Sequence, residues 1–95
     1  MEPRNPADKF QQSNTQVHCD LQGEKAILQT DTGVYYTLNE VGAFIWDLLK
    51  SPLNLDAIVK EVMREYEVSK ETAEADVLEL LLSLQKEGLV ERNVA

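Results

Sequence analysis

The sequence of 95 residues contains one cysteine, Cys19, and one histidine, His18. A lone thiol allows no intramolecular disulfide and fits a reducing compartment. A zinc site normally needs three or four such ligands, and neighbours on a strand point to opposite faces. Neither a metal site nor a Cys–His catalytic pair is expected from them. Glycine is scarce too: there are four, with no GxxxxGK[ST] or GxGxxG run to cradle a phosphate. Basic side chains number 9 against 17 acidic ones, a net charge of −8. Nucleic-acid backbones and anionic membrane surfaces both require clustered Lys and Arg, so neither is an expected partner. No apolar run has the length of a membrane span, and the first fourteen residues lack the apolar core of a signal peptide. The expectation is a soluble cytoplasmic protein.

The acidic residues that are present do not suggest catalysis. Glu61, Glu65 and Glu67 read as a solvated helix face, and Glu71, Glu74 and Asp76 fall in the first turns of a helix, where they suit its dipole. Nothing marks a buried carboxyl of the kind general acid catalysis needs. No enzymatic activity and no cofactor are expected.

What the chain does have is a clear order of elements. Residues 1–14 are polar, carry Pro3 and Pro6, and read as a flexible N-terminal tail. A single domain is expected over 15–92, with 93–95 as a C-terminal tail. Thr15–Leu21 and Lys25–Thr30 read as strands about a Gln22-Gly23 turn. Asp31-Thr32-Gly33 is a second turn, and Val34-Tyr35-Tyr36-Thr37-Leu38 is the strongest strand, four of its five residues being β-branched or aromatic. Asn39 is a good N-cap for a helix through Lys50, Asn54 for a helix over about Leu55–Tyr66, and Ser69 for a third that Gly88 ends. Strands then helices make an α+β fold: a three-stranded antiparallel sheet followed by three helices, winged-helix-like in its order.

Two features exceed what a plain small domain requires. The third helix has an apolar band of roughly 200°, where about 100° serves a one-sided helix. Val77 and Leu81 centre it, with Leu78 and Leu82 on one flank and Leu80 and Leu84 on the other. The domain's own packing accounts for most of the band; the flank with Leu80 and Leu84, bordered by Asp76 and Val77, is the candidate to face a partner. The strand Val34–Leu38 carries neither charge nor proline, the usual protection of a sheet edge. An extended peptide can add to such an edge.

The run Tyr35-Tyr36-Thr37-Leu38-Asn39-Glu40-Val41-Gly42, then Ile45-Trp46, Ala75-Asp76-Val77 and Lys86-Glu87-Gly88-Leu89-Val90, resembles the PqqD-like family, the peptide-binding RiPP recognition elements of ribosomal peptide modification. Asp20-Leu21-Gln22-Gly23-Glu24-Lys25 followed by Gly33-Val34-Tyr35-Tyr36 is most similar to the stand-alone leader-binding proteins of lasso-peptide clusters. The resemblance implies that a precursor's leader adds as an antiparallel strand between the third strand and the third helix. Carried onto this chain, the peptide-binding residues are Val34, Tyr35, Tyr36, Thr37 and Leu38 on the strand and Asp76, Val77, Leu80 and Leu84 on the helix. The lasso subfamily hands the leader to a separate protease, and a cyclase then closes the ring. Two alternatives share this pattern: a PqqD-like chaperone for a radical SAM peptide-modifying enzyme, and a winged-helix DNA-binding regulator. The second would want a basic recognition helix, whereas the third helix carries Glu71, Glu74, Asp76 and Glu79 after Lys70.

Overall fold

The structure is a computed structural model that describes residues 7–14, 16–21 and 24–93. In chain order it holds β1 (Lys9–Gln12), β2 (Gln16–Leu21), β3 (Glu24–Gln29), β4 (Val34–Leu38), α1 (Glu40–Leu48), β5 (Leu53–Asn54), α2 (Leu55–Glu65), α3 (Lys70–Lys86) and β6 (Val90–Asn93). The expected meander is present as the antiparallel sheet β2-β3-β4, and the expected three helices follow it. His18 and Cys19 both fall in β2. The Gln22-Gly23 turn, the tail over residues 1–6 and the last two residues lie outside the described residues.

Helix starts follow local side-chain chemistry. Asn39, Asn54 and Ser69 have extended backbone, and each accepts from a backbone N–H three residues on: Gly42, Ala57 and Thr72. This satisfies donors that a helix N-terminus leaves unpaired. At the end of α3 the chain reverses through Gly88 at φ +76°. The Gly88 N–H donates to the Gln85 carbonyl (3.0 Å) and the Leu89 N–H to the Leu84 carbonyl (2.9 Å). That pair is a Schellman ending, and it turns Leu89 into the core beside β6.

The structure differs from the sequence reading at both ends. Lys9–Gln12 is a strand, not part of a flexible tail, and the C-terminal boundary moves out because Asn93 belongs to β6. β1 is the centre of a second antiparallel sheet, β5-β1-β6, with Phe10 opposite Leu53 on one side and Arg92 on the other. The physical reason is that little of its stabilisation is written in composition. Phe10 alone supplies a large buried apolar group. The rest is main-chain pairing and polar side chains: Asp8 accepts from Arg92 Nε at 2.8 Å, Gln12 Nε2 donates to the Trp46 carbonyl at 2.8 Å, and the Gln12 and Ser13 N–H groups donate to the Leu49 and Leu89 carbonyls. The Arg92 guanidinium also lies 5.8 Å from the centroid of the Phe10 ring.

The core lies between the helices and the sheet β2-β3-β4. Ile27, Ile45, Trp46, Leu49, Ile58, Val77, Leu81, Leu84 and Leu89 are fully buried there. Two polar ties from β3 hold the helices in place. Lys25 Nζ donates to Asp47 Oδ1 on α1 at 2.8 Å, and Gln29 Nε2 donates to the carbonyls of Glu87 (3.2 Å) and Gly88 (2.8 Å) just past α3. Among the described residues no helix is long and apolar enough to cross a membrane.

Candidate functional site

β4 is an edge. Its inner side pairs with β3 from Gln29↔Val34 to Lys25↔Leu38, and among the described residues no strand pairs its outer side. Period-two geometry sends alternate side chains to opposite faces. Tyr36 and Leu38 turn toward the core, while Tyr35 stands 68% exposed.

Across from this edge stands α3, and between them is a cavity of about 490 Å³. One wall is Tyr36, Thr37 and Leu38 of β4; the other is Asp76, Val77 and Leu80 of α3. Ile45 of α1 and Val62 of α2 also line it, as does Tyr66 just past the end of α2. The buried members are apolar, and the exposed Thr37, Asp76 and Glu79 form the rim.

The chain reaches this shape through the turn Leu38-Asn39-Glu40-Val41-Gly42. Asn39 caps α1 by accepting from the Gly42 N–H at 2.9 Å. A Cβ on Gly42 would come within 3.3 Å of both the Asn39 amide oxygen and Leu38 Cβ. Glycine there lets α1 start tightly against the end of β4, and Gly42 itself lines the cavity.

Tyr66 is fixed edge-to-face against Phe44, with ring centroids 5.6 Å apart and planes at 84°. Its phenol is pushed above the ordinary value by loss of water around the ring and by the carboxylates of Glu40 and Glu65.

Of the nine residues singled out from the sequence, the structure brings six together around the cavity: Tyr36, Thr37, Leu38, Asp76, Val77 and Leu80. Val34 and Tyr35 share the edge strand but do not line the cavity. Leu84 lies wholly in the core. The opposite flank of α3 ends in Leu82, 45% exposed and outside the cavity. Sequence reasoning missed Tyr66, Val62, Glu79 and Ser83. A signal for the last two existed: they lie three and seven residues beyond Asp76, on the same side of a helix. From the sequence Tyr66 reads only as the end of the helix over about Leu55–Tyr66.

Fold and site together define a small winged-helix-like unit with an open strand edge facing a helix across an apolar, acid-rimmed cavity. Residues 24–90 match the family model for coenzyme PQQ synthesis protein D (PqqD), and the chain belongs to that family. The structure is similar to that of TbiB1 in complex with the TbiA(beta) leader peptide, at 32% identity over 85% of this chain and 94% of that one, with a TM-score of 0.78. It shares its fold with a lasso peptide synthetase B1 complexed with the leader peptide, at 24% identity over 86% of this chain and 96% of that one and a TM-score of 0.76. No curated protein matches the chain.

Proposed function

We propose that this chain binds the leader segment of a ribosomally made precursor peptide and delivers it to a modifying enzyme. The leader adds to the free edge of β4 and drops alternate apolar side chains into the cavity against α3. The observation that carries the reading is the unpaired edge of β4 facing Val77 and Leu80 across an apolar space. The two similar structures, each a complex with a leader peptide, support leader binding as the role. Main-chain hydrogen bonds contribute about 1 kcal/mol net each, and each buried apolar anchor about 1.5–3 kcal/mol before ordering costs. That is enough for selective but reversible capture.

The chain does no chemistry in this reading. It acts in the cytoplasm by raising the precursor's effective concentration at its enzyme. A leader protease and a cyclase are the receiving enzymes that the resemblance to the lasso subfamily implies.

Fluorescence anisotropy with labelled lasso-precursor leader peptides tests the proposal. Saturable binding is expected, weakened at least about tenfold by Leu80→Glu, since a carboxylate would be desolvated in the cavity. Strand addition further requires that N-methylating every second leader amide abolish binding while N-methylating the intervening ones does not. Absence of saturable binding, or indifference to both changes, rejects it.

A further inference from the structure

The charge around the cavity is all of one sign. Asp76 and Glu79 of α3 line it, and among the described residues no Lys, Arg or His does. Neither carboxylate forms an ion pair with a described residue, although elsewhere the chain pairs its charges readily, as in Lys25–Asp47 and Arg92–Asp8. The two α3 carboxylates thus stand at the rim of an apolar floor of Leu38, Ile45, Val62, Val77 and Leu80.

We propose that Asp76 and Glu79 select the peptide: the segment taken up beside β4 carries a Lys or Arg next to its apolar anchors, and that cation seats between these two carboxylates. This rests on reading the cavity as a peptide site and names the chemical class of its occupant. Asp76 and Glu79 are three residues apart on one helix face, so their side chains are neighbours. Successive strand side chains alternate faces, so a strand that sinks an apolar anchor against Val77 and Leu80 offers its rim position to the acids without shifting register. An acidic or neutral segment would leave both carboxylates unpaired as the peptide excludes water from them.

The test is a selection of random ten-residue peptides displayed against the full-length chain. The expected winners alternate apolar residues and are enriched about fivefold or more in Lys or Arg adjacent to an anchor. The strongest winner is then measured against Asp76→Asn/Glu79→Gln and against an equally charged control, Glu24→Gln/Glu91→Gln, at exposed positions outside the cavity. The first variant is expected to bind about five- to tenfold more weakly and the control almost unchanged, a loss that vanishes when the peptide's cation is replaced by Gln. Apolar winners without cationic enrichment overturn this inference and leave the peptide site standing. Equal losses in variant and control also overturn it, by assigning the attraction to net charge. No enrichment of any peptide overturns the peptide site itself, and this inference with it.

Discussion

In the sheet β5-β1-β6, charge is turned inward and matched: Asp8 is buried, and Arg92 both pairs with it and covers the Phe10 ring. Beside the sheet β2-β3-β4, across the molecule's helices, Asp76 and Glu79 stand at a cavity rim with no cation among the described residues, and the β4 edge has no partner strand. The same chain therefore satisfies its polar groups on one side and withholds satisfaction on the other. Buried charges are tolerated only when paired, so the first region is committed to the folded state. The second retains its bonding capacity at the surface, where leaving it open costs little. Stability and binding should separate between the two regions, and mutations can break or sharpen that division.

The largest effect is expected at α3, where both kinds of residue sit one turn apart. Leu84→Ala removes a fully buried side chain and should cost about 2–5 kcal/mol in chemical denaturation. Leu80→Ala, at the half-buried cavity wall, should cost less stability but weaken peptide binding more. Equal stability losses would dissolve the distinction between core and cavity. Next is Arg92→Ala, which removes the ion pair to the buried Asp8 carboxylate and the cover over the Phe10 ring, and should destabilise by about 3 kcal/mol while leaving peptide affinity intact at temperatures where the variant is folded. A parallel loss of affinity would show that the two sheets are coupled.

Smaller again is a glycine pair. Gly33 and Gly88 both have positive φ, but a Cβ on Gly33 meets open space, whereas one on Gly88 would lie 2.7 Å from Gln29 Nε2. Gly33→Ala should cost about 1 kcal/mol from backbone strain alone. Gly88→Ala should cost about 1 kcal/mol more, because Gln29 must release the carbonyls it holds at the end of α3. The melting temperatures of the two variants measure the difference. The smallest effect is at Tyr66. Its phenol holds its proton more tightly in the folded chain than at its ordinary value of 10.0. The stability this supplies is complete below that value and declines as pH rises through and past it. Tyr66→Phe should flatten that alkaline decline in pH-dependent denaturation.

The difference between the regions also explains what was legible in the sequence. Helix caps, the Gly88 ending and the edge strand are encoded locally, in the identities of Asn39, Asn54, Ser69 and Gly88 and in four β-branched or aromatic residues of the five in β4, so they could be read directly. The wide apolar band of α3 was legible too, but its division was not. Leu80 and Leu84 lie one turn apart and differ by only about 40° in direction, so which of them meets the cavity depends on how far along α3 the cavity reaches, and the end of the helix is held by Gln29 from a distant part of the chain. β1 was invisible because its stabilising partners are about thirty-five to eighty-four residues away in sequence, as Gln12 with Trp46 and Lys9↔Asn93 show. Long-range pairing leaves no periodic trace in four residues, only one of them large and apolar. Tyr66 was visible as a residue and unreadable as a wall, since its place depends on Phe44 from another helix.

The ladder that joins residue 9 to residue 93 has one more consequence. Opposed residues of an antiparallel pair are about 5 Å apart, so the described chain enters and leaves at one place. None of β1, β5 and β6 lends a side chain to the cavity. The two ends of the described fold thus meet on a sheet that contributes nothing to the cavity, the geometry that lets one domain be inserted into another.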